Sequence, residues 1–195
     1  MGQLRYNLTS IPGIPGQLLD FASIDRSVIV SAVAGVIIPP GVDVEIDATT
    51  GLLRPVNDLT AGWAAALHYG VSINDPVGFE QGYFPWAVPP TSAGSSGLGY
   101  PVGAVVPVLR MGRIYMAYDG GGTPTRLGAF NIWHSSDGTH PQGVATFSAT
   151  AITVGAEIGA APAGLSVWNP DLIAGSYVDG FGVTAGICGV LVNLG

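Results

Sequence analysis

The sequence predicts an all-β fold, a single β-sandwich or jelly-roll-like domain carrying an extended N-terminal arm. Thirty glycines and fifteen prolines punctuate the 195 residues at short intervals, so few windows are long enough for a helix. β-Branched residues dominate the intervals between them, as strands require. The composition shifts nowhere enough to mark a second domain, and no internal repeat is present.

Residues 1–20 form the arm. Ile11-Pro12-Gly13 and Ile14-Pro15-Gly16 support neither a helix nor a regular ladder strand, because proline lacks the donor and fixes its φ. Leu4, Tyr6, Leu8, Ile11, Ile14, Leu18 and Leu19 carry too much apolar surface to float in water, so the arm is expected to lie along its own domain or a neighbour's. The partner-binding candidates are Leu8, Ile11, Pro12, Ile14, Pro15, Leu18 and Leu19.

Residues 21–195 form the sandwich. Strand regions are expected at Val28 to Val33, Val42 to Asp47, Leu52 to Val56, Gly103 to Tyr118, Ala129 to His134, Val144 to Val154, Leu165 to Trp168 and Gly182 to Val192. A short helical turn is expected around Leu59 to His68. Ala48-Thr49-Thr50-Gly51 joins the second and third regions as a hairpin, with Gly51 supplying the positive φ of a tight connection. Along Val42 to Asp47 the alternation puts Val42, Val44 and Ile46 on one face and Asp43, Glu45 and Asp47 on the other, which predicts a half-buried sheet. Long loops are expected near 85–101 and 119–142, with Asp119-Gly120-Gly121-Gly122 as a hairpin tip.

Charge is scarce: six arginines, no lysine and thirteen acids make up 10% of the chain, while 48% is apolar. Soluble domains carry about a quarter of their residues as charges, so this surface is expected either to be covered by uncharged polar groups and glycine backbone or to be buried against partners. A net charge of −7 with scattered arginines speaks against direct nucleic-acid binding. No apolar run reaches the roughly 20 residues that span a bilayer, since Val28 to Ile38 stops at Pro39-Pro40-Gly41 and the stretch from Val183 is broken by Gly186 and Gly189. The first residues have no apolar segment of secretory type, and Tyr6 stands where a myristoylation motif needs Ser or Thr. The chain is therefore expected to be made in a cytoplasm. The Asn7-Leu8-Thr9 sequon then has no glycosylation role.

Few residues offer chemistry. Cys188 lies in an apolar stretch without basic neighbours and reads as a small buried hydrophobe, so neither a disulfide nor a cysteine zinc site is expected. His134, Asp137 and His140 are the one cluster of metal-ligand or general-base types, set against the strong turn signal of Asp137-Gly138. The repulsion among Asp43, Glu45 and Asp47 could be relieved by Ca²⁺, by a partner's arginine or by water, and water is the default. Asp119 and its glycines lack the lysine of a phosphate cradle, and no serine elbow is present. Trp63, Trp86, Trp133, Trp168 and the run Tyr83-Phe84-Pro85-Trp86 could stack on sugars or serve as core and interface anchors. No cofactor is expected and no catalytic set is assembled.

Three segments carry a family resemblance. They are Pro15-Gly16 leading to Asp20-Phe21-Ala22-Ser23, the hairpin from Val44-Glu45-Ile46-Asp47 through Gly51 to Pro55, and the strand Val105-Val106-Pro107-Val108-Leu109-Arg110-Met111-Gly112-Arg113-Ile114. In that order they resemble the cement, or head decoration, proteins of tailed bacteriophages, and Gly189-Val190-Leu191-Val192-Asn193-Leu194 is similar to the closing strand of that family. The resemblance implies a non-enzymatic virion protein that binds the outer capsid surface as a homo-oligomer, dimer or trimer, with the major capsid protein as partner. The aromatic and glycine-rich segments at 79–101 and 119–142 depart from the family's plainer members. They leave a carbohydrate- or receptor-binding surface module as the alternative.

Overall fold

The computed structural model describes residues 16–19, 27–56, 68–74, 99–134, 142–147, 158–161, 164–178 and 184–194. These residues are all-β: ten strands in one hydrogen-bonded sheet, with no helix among them. In chain order the strands are β1 (Val28–Val33), β2 (Asp43–Ile46), β3 (Leu53–Pro55), β4 (His68–Ser72), β5 (Val105–Gly122), β6 (Asn131–Trp133), β7 (Ala145–Phe147), β8 (Ile158–Ala160), β9 (Leu165–Val178) and β10 (Thr184–Asn193).

β5 is the spine, because its 18 residues are long enough to serve several partners in succession. Along one edge β1 pairs with Val105–Met111, and β10 takes over from Met111 to Tyr118. Along the other lie β4 at Val108 and Leu109, then residues 16–19, then β7 running parallel at Tyr118 and Gly122. β2 joins β4 to β3, β6 joins β7 to β8, and β9 covers β10.

Alternation along these strands fills two apolar clusters. Ile114, Met116 and Tyr118 of β5 meet Cys188, Val190 and Val192 of β10 and Leu165 and Val167 of β9. Earlier in β5, Val106 and Val108 meet Ala34, Ile38, Val42, Val44, Leu53, Tyr100 and Trp133. Inward positions two residues apart on each strand are what a strand period of two delivers.

The predicted hairpin forms as expected. The Asp47 carboxylate accepts the N–H of Thr49 at 2.7 Å, Gly51 N–H donates to Asp47 O at 2.8 Å, and Gly51 has φ +69°. Four details differ from the sequence reading. His68 opens β4 instead of ending a helical turn, and residues 59–67 lie outside the described set. β4 escapes sequence patterning because it is short and contains Gly70 at φ +146°, where a Cβ would lie 2.3 Å from Leu109 O. Asp119–Gly122 continues β5 and is not a hairpin tip, since β7 pairs with it as far as Gly122. β9 runs past the turn-like Asn169-Pro170-Asp171 to Val178, held by β10 through register shifts around Ile187 and Gly189. The short β8 was not expected from the sequence.

Of the N-terminal segment, Gly16–Leu19 lies along the chain's own sheet. Gly16 N–H donates to Tyr115 O, Tyr115 N–H to Gln17 O and Leu19 N–H to Arg113 O, while the Leu18 side chain packs against the β5–β10 cluster. Leu8, Ile11, Pro12, Ile14 and Pro15 lie outside the described residues, as do 85–98 of the expected loop. Tyr100, near its end, bridges to Ile38 and donates its hydroxyl to Ile73 O at 2.6 Å.

Candidate functional site

At the acidic strand the structure also corrects the sequence reading. Asp43 is 0% exposed and Glu45 2% exposed, so both faces of β2 are covered and its acids do not face water. β2 lies between β3 and β4 in the sheet, and Gly143 packs so closely on Asp43 that a Cβ there would meet Asp43 O at 2.5 Å. Repulsion along the strand is relieved from within the chain. Arg54, on the opposing hairpin strand, donates Nε to Glu45 Oε1 at 2.7 Å and Nη1 to Asp47 Oδ2 at 3.2 Å. His68 Nδ1 lies 2.6 Å from Asp43 Oδ2, with both side chains buried. Burial pushes the Asp43 carboxyl above the ordinary carboxylate range, and the hydrogen-bonding and coulombic pull of His68 offsets part of that rise. The Thr49 N–H holds Asp47 below the usual range. These acids are structural, and no group of three or more metal-ligating side chains gathers among the described residues.

His134 is 4% exposed, and its carbonyl accepts from Gln142 Nε2 at 3.1 Å. Asp137 and His140 lie outside the described residues. Cys188 sits in the core, where burial pushes its thiol up to about 12; it is protonated and inert at neutral pH. Trp133 is 1% exposed and donates Nε1 to Asp119 Oδ2 at 2.7 Å, which removes it from the sugar-stacking candidates. Trp168 is half-buried on β9, with the Arg113 guanidinium 3.7 Å from its ring centroid and that of Arg126 at 5.6 Å. Trp63 and Trp86 lie outside the described residues. Among the described residues no helix is long and apolar enough to cross a membrane.

What the surface does offer is apolar. Val28, Ile29, Val33, Val36, Val102 and Val105 are exposed by 42–65%. Val33 and Val105 are cross-strand partners, and the Gly103 N–H bond to Ala34 O brings Val102 beside the end of β1. The valines at positions 33, 102 and 105 therefore group at one end of the sheet, and Ile29 extends the group along β1. This surface was not singled out from the sequence, although the run from Val28 to Ile38, apolar but for Ser31, was its signal.

No protein-family model matches the chain, and no curated protein matches it. Among solved structures, a chain from the capsid of Myoviridae phage XM1 has a similar fold, with a TM-score of 0.56 over 99% of this chain and 98% of that one, at 15% sequence identity. The correspondence is end to end, so the two chains share an architecture and not merely a common hairpin or sheet fragment.

Proposed function

We propose that this chain is a structural virion protein that binds the outer surface of a phage capsid and stabilises it, a cement or decoration protein. The observation that carries the reading is the end-to-end likeness of fold to a chain of a phage capsid. The surface chemistry supports it: among the described residues the candidate reactive groups are buried or paired within the chain, while valines and an isoleucine are exposed. The major capsid protein is the proposed partner, the virion the proposed location, and a homo-oligomer the proposed form. The arm residues Leu8, Ile11, Pro12, Ile14 and Pro15 are proposed to contact the capsid, with Leu18 and Leu19 rooting the arm on β5. With so few charges, attachment rests on apolar contact and backbone pairing, and several equivalent sites on one particle add avidity.

The test is co-sedimentation of the purified protein with undecorated capsids from about 50 mM to 1 M salt. Binding that persists across the range is expected. No co-sedimentation at any salt would overturn the capsid role, whereas release at moderate salt would overturn the apolar mechanism alone.

A further inference from the structure

We propose that the turn Thr125-Arg126-Leu127-Gly128 is a second docking point on the capsid surface. The Leu127 side chain enters an apolar pocket of the partner, and the Arg126 guanidinium pairs with a carboxylate at the rim of that pocket. The inference rests on the capsid reading and adds to it a site that the N-terminal arm does not include.

Backbone bonds build the turn. Gly128 N–H donates to Thr125 O at 2.8 Å, Leu127 N–H to Val167 O at 2.7 Å and Val167 N–H to Gly128 O at 3.1 Å, which clamps the turn onto β9. A Cβ on Gly128 would lie 2.3 Å from Thr125 Oγ1, so the fold requires glycine there. It does not require leucine at 127. Among the described residues Leu127 alone of the non-glycines has a positive φ, +57°. In the third position of a turn that geometry favours glycine or asparagine, and the Cβ of a leucine strains it. The side chain is 64% exposed, so little burial is gained in return. The bonds that hold the turn would form with any residue, because they use only the backbone. A strained residue that also leaves apolar surface in water points to a contact made outside the fold.

The charge beside Leu127 indicates what that contact is. Of the other described arginines, Arg54 pairs with Glu45 and Asp47, and Arg110 donates to Leu194 O. Arg126 is exposed and lies 5.6 Å from the centroid of the Trp168 ring, which Arg113 approaches at 3.7 Å. A cation–π contact orients a guanidinium without neutralising it, so the fork of Arg126 stays available to a carboxylate. The net charge of −7 repels nucleic acid, and an apolar side chain gains nothing from a polyanion. A protein surface with an acid at the rim of an apolar pocket satisfies both groups. Arginine and tryptophan are enriched among the residues that dominate such contacts.

Co-sedimentation with undecorated capsids at about 50 mM and 1 M salt tests the site. Leu127→Gly removes the side chain together with the strain. It should weaken binding by about 10-fold or more at both salts, while the melting temperature stays unchanged or rises. Arg126→Glu should weaken binding by about 10-fold or more at 50 mM and by much less at 1 M, where the charge is screened. Wild-type binding that either substitution leaves unchanged at 50 mM would overturn this inference and leave the capsid reading standing; absence of wild-type binding would overturn both. A clear drop in melting temperature for Leu127→Gly would show that the leucine serves the fold, and would overturn the inference as well. So would sedimentation velocity showing, without capsids, an oligomer that both substitutions dissociate, which would make a second copy of this chain the occupant.

Discussion

Replacing His68 by leucine tests whether the buried acid of β2 depends on its imidazole partner. Asp43 is fully enclosed, its Oδ2 lies 2.6 Å from His68 Nδ1, and Glu45 of the same strand adds repulsion. Removing the partner of a buried carboxylate leaves that charge uncompensated, at a cost of about 3–5 kcal/mol. With a urea m-value of about 2 kcal/mol/M, that loss lowers the unfolding midpoint by about 2 M at pH 7. The pH dependence follows from the raised pKa of Asp43. A carboxyl whose folded pKa exceeds its unfolded value of 3.8 favours the folded state fully only below 3.8, and that contribution is lost as pH rises through the folded pKa. His68 restrains this rise, so His68→Leu should widen the window and deepen the loss between pH 4 and pH 7. At pH 4 the penalty should shrink to about 1 kcal/mol, the cost of an altered contact without a stranded charge. In an Asp43→Asn, His68→Leu double variant the extra dependence should vanish. A loss below about 1 kcal/mol at pH 7, or an equal loss at pH 4 and pH 7, would refute the buried-pair account.

The remaining predictions probe the core and backbone. Cys188, with its thiol at about 12, should resist a thiol reagent at pH 8 in the native protein and react fully in denaturant; because its folded pKa lies above 9.0, its contribution to stability should hold below pH 9 and fade as pH rises from 9 toward 12. Stoichiometric native labelling would contradict its burial. Trp133→Phe keeps most of the packing but removes the bond to Asp119, so urea unfolding should show a loss of about 1–3 kcal/mol, and a change under about 0.5 would mean the bond is idle. Gly70→Ala drives a Cβ onto Leu109 O and should cost about 3 kcal/mol or more, whereas Gly51→Ala, with open space around it, should cost only about 1–2 kcal/mol; equal losses would show that the β4–β5 approach is looser than described.

The sequence by itself determined the class of fold and most of its strands. Alternation in Val42 to Asp47, and the apolar runs through Val28 to Val33 and Val105, are local signals that need no tertiary information to be read. Asp47 and Gly51 likewise specify their turn through groups a few residues apart. Tertiary structure decided what each face meets. Asp43 and Glu45 read as a wet face because polar side chains normally seek water; His68 lies 25 positions from Asp43 in the chain and enters the argument only once β4 is laid against β2. β4 itself was hidden because Gly70 serves a close approach to Leu109, a contact no local pattern encodes. Trp133 and Trp168 carry the same residue type, yet one is sealed against Asp119 and the other is overlaid by Arg113, and only the packing of distant strands separates them.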